Sequence, residues 1–263
     1  MRMVTLVTGA SGGIGLELAR AFAAGGDDVV VTARSQEALS RLADEIEAAG
    51  RTRPIAVALD LAEAGAADRL LDAVGREGAQ VRRLVNNAGF GLNGDAASLP
   101  RAEQVAMVDL NVRALTDLTL AALPSIVALK GGVLNVASTA AFQPGPGMAV
   151  YYATKSFVLS FSEALAYELA PSGVTVTALC PGPTSTGFQE RARLDSALFD
   201  VIRPMDAAEV ARYGRQAFLR GDRVAVPGLM NRIMAGTAGL TPRALSLAVI
   251  SRLQSKRRSG SGA

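Results

Sequence analysis

The sequence predicts an α/β protein: one doubly wound parallel sheet of about seven strands, with helices on both faces. Three observations carry this expectation. Short β-branched runs alternate with longer stretches of helical period along the whole chain. Several short runs are apolar throughout, as strands covered on both faces require. The chain has 263 residues, 49% of them hydrophobic and 19% charged, which is ample material for one large core.

Strands are expected at Met3–Val7, Asp28–Ala33, Pro54–Leu59, Arg83–Asn86, Val133–Ala137, Val174–Leu179 and Arg223–Val226. Between them Ile14, Leu18 and Phe22 form one helical stripe, and Leu39, Leu42 and Ile46 another. Phe157, Phe161, Leu165 and Leu169 form a third at strict four-residue spacing, expected to face the core. No internal repeat or linker interrupts the pattern, so residues 1–254 are expected to form a single domain. Ser255–Ala263 is polar, basic and rich in Gly and Ser, and reads as a disordered tail.

The composition removes several functions. The chain has no histidine, so a Ser-His-Asp hydrolase is ruled out, most zinc sites go with it, and no metal is expected. Acid–base chemistry must then use Tyr, Lys, Asp or Glu. A net charge of +3 is too small to imply nucleic acid. Cys180 is the single cysteine, which excludes an intramolecular disulfide and fits a reducing, cytoplasmic compartment. Met1–Val7 runs straight into a strand, so no signal peptide is expected. The longest uncharged stretch, between Lys130 and Lys155, holds Asn135, Gln143, Pro144 and Pro146 and is not a membrane span. Membrane contact is not the expectation. Thr241–Arg258 mixes apolar and basic residues, and several readings stay open for it: a helix closing a pocket, docking on a neighbouring subunit, resting on an anionic membrane, or solvated at the surface.

The first strand ends in Thr8-Gly9-Ala10-Ser11-Gly12-Gly13-Ile14-Gly15, and a helical stripe starts at once. Glycines let the backbone turn sharply and approach a phosphate with no Cβ in the way. The helix N-terminus then offers free N–H groups and a positive dipole end to a pyrophosphate. Ser11, Gly12, Gly13 and Ile14 are therefore candidate cofactor-binding residues along with Gly9 and Gly15. The second strand ends at Ala33-Arg34-Ser35, where NAD-binding proteins of this kind usually carry a carboxylate for the adenosine ribose. A cation there can fork onto a 2′-phosphate, with Ser35 adding a hydroxyl, so the charge pattern favours NADP(H) over NAD(H).

Tyr151 and Lys155 are four residues apart at the start of a helical pattern, which puts both on one helix face. An unperturbed phenol titrates near ~10. A neighbouring ammonium is expected to lower that value and make the tyrosine a usable acid–base group. Tyr152, Tyr167 and Tyr213 have no lysine at that spacing, so Tyr152 reads as a packing or pocket-rim residue. Ser138 ends the fifth strand, where ligands of open α/β sheets bind, although a bare strand-end turn would look the same.

These residues, in this order, resemble the short-chain dehydrogenase/reductase family. The chain carries its T-G-x-x-x-G-x-G turn, then Asp60, Asn86-Asn87-Ala88-Gly89, Asn111, Ser138, Tyr151, Lys155 and Pro181-Gly182, over roughly residues 3–190. The resemblance implies a Rossmann-type fold and an NADPH-dependent oxidoreductase that moves hydride between nicotinamide and a carbonyl or secondary alcohol. It implies Asp60 and Leu61 near the adenine, and Asn87, Ala88 and Gly89 beside the adenosine ribose. It places Pro181, Gly182, the Thr184 backbone and the Thr186 hydroxyl toward the nicotinamide carboxamide. Ser138 and Tyr151 would polarise the substrate oxygen, Lys155 would bind the nicotinamide ribose, and Asn111 would hold a water near the lysine. Phe90, Phe142, Pro144, Met148 and Phe188 are candidates for an apolar pocket suited to a small hydrophobic ketone, aldehyde, steroid-type or ketoacyl-type substrate. A homodimer or homotetramer is implied by resemblance only. The alternatives are a non-catalytic NADP(H)-binding sensor or scaffold and a sugar-nucleotide epimerase. The first predicts loss of a catalytic residue, and the second needs a longer C-terminal domain.

Overall fold

The computed structural model of the chain describes residues 1–188, 192, 204–238 and 247. The expected tail and most of Thr241–Arg258 lie outside these residues. Seven strands form the central sheet: β1 (Arg2–Thr8), β2 (Asp28–Ala33), β3 (Ile55–Ala58), β4 (Ala79–Asn86), β5 (Gly132–Val136), β6 (Thr175–Leu179) and a short β9 (Val224–Ala225). Two further short strands, β7 (Thr184–Ser185) and β8 (Met205–Asp206), pair with each other. The order in the sheet is β3-β2-β1-β4-β5-β6-β9, and every pair is parallel.

Both faces of this Rossmann-type sheet are apolar, because consecutive strand residues point to opposite sides. Leu6, Leu84 and Val133 face one layer, while Val7, Val85 and Leu134 face the other. The first layer holds α3 (Ala66–Arg76), α5 (Leu115–Ala128) and α6 (Ala149–Leu169). The second holds α1 (Gly13–Ala24), α2 (Gln36–Ala48) and α7 (Ala207–Arg220). Local chemistry fixes the ends of these helices. The Ser35 hydroxyl accepts the Ala38 N–H at 3.2 Å and caps α2. Gly221, at φ +82°, closes α7 in the left-handed conformation that Gly tolerates. A final helix, α8 (Leu229–Ala238), follows β9.

The helix α4 (Arg101–Val108) runs through a π-helical turn at Asp109–Ala114 into α5. This continuous run, Arg101–Ala128, is long and apolar enough to cross a membrane by length and composition. Its Leu115, Leu118, Ala122 and Ile126 are buried inside the protein. The Phe157 stripe needs correction. Leu165 is buried, but Phe157 is 40% exposed and stacks on Phe161, ring centroids 5.8 Å apart. Four-residue spacing places residues on one face, but that face leaves the core towards the first turns of α6.

A buried polar ladder ties the layers together beneath the strand ends. Asn86 Nδ2 donates to Thr119 Oγ1 at 2.8 Å and to Asn135 Oδ1 at 2.9 Å, and Asn135 Nδ2 donates to Ser162 Oγ at 2.9 Å. Thr119 and Ser162 return their own hydrogens to helix carbonyls, so these side-chain groups find partners within the fold. β4, β5, α5 and α6 are thereby held in one register.

Candidate active site

The strand order reverses between β1 and β4, and the crevice outside their carboxyl ends is where an open α/β sheet binds ligands. A cleft of about 630 Å³ opens there. Its floor is built by one hydroxyl. Thr8 Oγ1, at the end of β1, donates to Val85 O at 3.3 Å and accepts the N–H groups of Asn87 and Ala88 at 2.9 and 3.0 Å. Asn87 Nδ2 donates back to Thr8 O and Gly9 O at 3.0 and 3.2 Å. The glycine turn and the loop after β4 are thus sewn together.

Gly9, Ser11, Gly12, Gly13 and Ile14 line the cleft, as do Arg34, Asp60, Leu61, Asn87, Ala88 and Gly89. Gly9 and Gly13 have φ of +66° and +56°, a conformation that disfavours side chains. Gly15 is not a lining residue: a Cβ there would meet Gly9 O and Asn87 Nδ2 at 2.3 Å, so its role is close packing of α1 on the turn. Ser35 is also off the lining, because its hydroxyl caps α2. Arg34 is exposed at the mouth, where a guanidinium can reach a phosphate. Asp60 Oδ1 accepts Ala62 N–H at 2.9 Å and shapes the loop after β3.

At the other end, Ser138 follows β5 and Tyr151 stands in the first turn of α6. The Ser138 hydroxyl accepts the Ala140 N–H at 3.1 Å and reaches Pro181 O at 3.5 Å, and it faces the Tyr151 phenol closely enough to influence its titration. Lys155, one turn on, donates from Nζ to Val136 O at 2.8 Å and lies 5.9 Å from the centre of the Tyr151 ring. Ser138, Tyr151 and Lys155 all line the cleft. The phenol departs from the sequence expectation. Burial pushes Tyr151 up to about 12, opposed in part by the neighbouring Ser138 hydroxyl. Burial likewise pulls Lys155 down to about 8. Desolvation outweighs the lowering by Ser138 here, and the result is a protonated phenol at neutral pH.

Asn111 does not line the cleft. It lies fully buried in the π-helical turn, where its Oδ1 accepts Phe90 N–H at 3.0 Å. Its Nδ2 donates to Phe90 O at 2.9 Å and to Thr154 Oγ1 at 3.1 Å. Thr154 in turn donates to Tyr151 O at 2.7 Å. The amide therefore joins the loop after β4 to the tyrosine's own helix turn. Thr154 escaped the sequence reading, because a lone threonine between Tyr151 and Lys155 has no periodic signal.

Pro181, Gly182, Thr184 and Thr186 also line the cleft. The Thr184 hydroxyl donates to Gly182 O at 3.0 Å, and the Thr186 hydroxyl accepts Phe188 N–H at 3.3 Å. Of the suggested apolar residues, Phe90, Met148 and Phe188 line the wall, joined by Leu110, Ala140 and Tyr152. Phe142 instead packs on the Val158 core, and Pro144 is not at the wall. The glycine turn at a helix start fits a dinucleotide pyrophosphate, and the Tyr151 end leaves room for a nicotinamide and a substrate.

The profile of the short chain dehydrogenase family matches residues 3–197. The chain belongs to the short-chain dehydrogenase family. It is therefore an oxidoreductase of the class acting on CH–OH and C=O groups. It is 34% identical over 220 residues to sulfoacetaldehyde reductase 2 of Chromohalobacter salexigens, covering 80% of this chain and 86% of that protein. Among solved structures it resembles a short-chain dehydrogenase from Sphingobium yanoikuyae in complex with NADPH, at 32% identity and TM-score 0.80, over 91% of this chain and 95% of that one. It also resembles the bulky-bulky ketone specific alcohol dehydrogenase from Comamonas testosteroni, at 28% identity and TM-score 0.75, over 91% and 93%.

The turn makes a direct prediction. In Gly13→Val a branched side chain must adopt φ +56°, and its Cβ meets Thr186 at 3.1 Å. Strain of this kind costs on the order of 1–3 kcal/mol. Fluorescence titration should show NADPH affinity reduced about tenfold or more. Wild-type affinity would contradict the proposed cradle.

Proposed function

We propose that the protein is an NADP(H)-dependent carbonyl reductase for small hydrophobic ketones or aldehydes, running in reverse on the matching alcohols. The observation that carries this reading is the Ser138–Tyr151–Lys155 cluster at the carboxyl end of β5. When bound, the cofactor supplies the hydride. Tyr151, kept protonated by burial, gives its proton to the substrate oxygen. Ser138 hydrogen-bonds the same oxygen and the phenol, fixing where that oxygen sits. Lys155, while charged, stabilises the phenolate left behind and offers Nζ to a ribose hydroxyl. Asn111 and Thr154 position this helix turn. All four expected catalytic residues are present, which disfavours a non-catalytic sensor or scaffold.

Arg34 supports the 2′-phosphate form of the cofactor, in line with the NADPH-bound relative. Among the described lining residues the charged ones are Arg34, Asp60 and Lys155. Arg34 and Asp60 follow β2 and β3, at the adenosine end, and Lys155 is buried beside Tyr151. The substrate end is walled by Phe90, Leu110, Ala140, Met148, Tyr152 and Phe188. Such a wall suits an apolar carbonyl compound better than a sulfonated aldehyde, which calls for a cation. The reading includes a cytoplasmic homodimer or homotetramer, supported by exposed Leu120, Phe157 and Tyr167 on α5 and α6.

Two substitutions test the assignment. Tyr151→Phe keeps the packing and removes the proton. Reduction should fall about 10²- to 10⁴-fold, while NADPH titrates as in wild type; undiminished turnover would remove Tyr151 from the chemistry. Arg34→Asp replaces a phosphate partner with a like charge. The NADPH/NADH preference in kcat/KM should shift about ten- to a hundredfold towards NADH, and an unchanged ratio would mean that another group reads the phosphate.

A further inference from the structure

Two aromatic rings flank the Tyr151 phenol, and each is seated on a residue without a Cβ. The Phe188 ring lies 5.4 Å from the Tyr151 ring, centroid to centroid, tilted by 48°. It rests on Gly91, where a Cβ would come within 2.7 Å of Phe188 Cζ, 3.1 Å of Tyr151 Cδ2 and 3.3 Å of Met148 Cε. The Tyr152 ring stands edge-on to Tyr151 at 6.2 Å and 77°. It rests on Gly145, where a Cβ would lie 2.3 Å from Tyr152 Cγ. Neither glycine has a positive φ, so the backbone conformation does not call for glycine at either position. The rings do. Phe188 and Tyr152 line the cleft while Gly91 and Gly145 lie behind them.

The Phe188 ring has no room to retreat. Its Cζ is already in contact with the Gly91 backbone. The segments that carry these residues are tied to one another. Gly94 N–H donates to Gly147 O at 2.7 Å, Ala192 N–H to Phe188 O at 2.8 Å and Asn93 N–H to Ala192 O at 3.0 Å. The void behind Met148 and Tyr151 measures about 10 Å³, at the lower limit for a single water. A close-packed wall of this kind resists added volume.

We propose that the Gly91–Phe188 contact is the specificity-determining element of the site, restricting one arm of the substrate carbonyl to hydrogen or methyl. This rests on the reading that the cleft reduces apolar carbonyls with Tyr151 as proton donor. An oxygen held at Ser138 and Tyr151 sets its carbon beside the flanking rings. One arm then faces Phe188, and the other runs into the open part of the cleft. The substrates are therefore aldehydes and methyl ketones, and ketones bulky on both sides are rejected. One methylene too many in an apolar pocket costs about 10- to 200-fold in kcat/KM. Gly91 acts through Phe188, because the missing Cβ sets how deep the ring sits.

Reduction of benzaldehyde, acetophenone and propiophenone with NADPH tests this, since their second arms are hydrogen, methyl and ethyl. Wild-type kcat/KM should favour acetophenone over propiophenone about tenfold or more. Phe188→Ala should remove most of that preference by gaining on propiophenone. Gly91→Ala should act in the opposite sense. Its Cβ drives the ring into the cleft, and the acetophenone/benzaldehyde ratio should fall about tenfold or more. Ratios within one variant cancel any loss of stability or of Tyr151 alignment, which all three compounds share. Equal turnover of acetophenone and propiophenone by the wild type overturns the proposal, as does an unchanged preference in Phe188→Ala. Should Phe188→Ala fail to fold, an unchanged acetophenone/benzaldehyde ratio in Gly91→Ala overturns it. Turnover that ignores the second arm overturns this proposal alone. No turnover of any of the three by an NADPH-bound wild type removes the carbonyl-reductase reading and this proposal together.

Discussion

Burial of two ionisable side chains in one wall of the cleft is the constraint on which the rest of the site depends. A phenol and an ammonium taken out of water both move towards their neutral forms. For Tyr151 that means a proton retained well past neutrality, and for Lys155 a charge that is weakly held. Such a pair suits proton delivery to a carbonyl oxygen, provided that both groups stay fixed against the end of β5. Lys155 does so through Val136 O, and the helix turn that bears Tyr151 through Thr154, whose hydroxyl donates to Tyr151 O.

The surrounding structure supplies that fixity with hydrogen bonds rather than bulk. Thr8 stitches the ends of β1 and β4, so the glycine turn and the Asn87–Gly89 loop share one floor. Asn86 and Asn135 carry the tie across to β5 and then through Ser162 to α6. Asn111, in the π-helical turn, closes the circuit from Phe90 to the turn that bears Tyr151. The side chains Thr8, Asn86, Asn111 and Asn135 that make these ties are buried, and a buried polar group that loses its partner costs on the order of 1–3 kcal/mol. The cleft is thus coupled to the core, and small displacements of the strand ends are resisted.

Much of this was legible in the sequence. Alternating apolar runs marked all seven strands of the sheet, and the glycine spacing marked the turn between β1 and α1. What escaped depends on energies or contacts that spacing does not encode. The Tyr151–Lys155 interval gave proximity, yet not the desolvation that raises the phenol. Ser35 carried two possible uses for one hydroxyl, and only the backbone of α2 decided for the cap. Gly15 belongs to the motif because helix and turn touch there, which a pattern of glycines cannot distinguish from ligand contact. Phe157 shared a period with buried Leu165, and the direction of α6 relative to the sheet put it at the surface.

The central claim, that Tyr151 delivers a proton held by burial while a charged Lys155 stands behind it, is most directly tested by the pH dependence of kcat/KM for NADPH in carbonyl reduction. That constant reports groups of the free enzyme. Lys155 has a folded value of about 8, below its ordinary one, so its charge is present at lower pH and lost as pH rises through that value. Tyr151 keeps its proton up to about 12 and adds no break before then. The account predicts a rate that is level near neutrality and declines through about pH 8. A profile that stays flat to about pH 10, or that shows its break where an unperturbed phenol titrates, would contradict it.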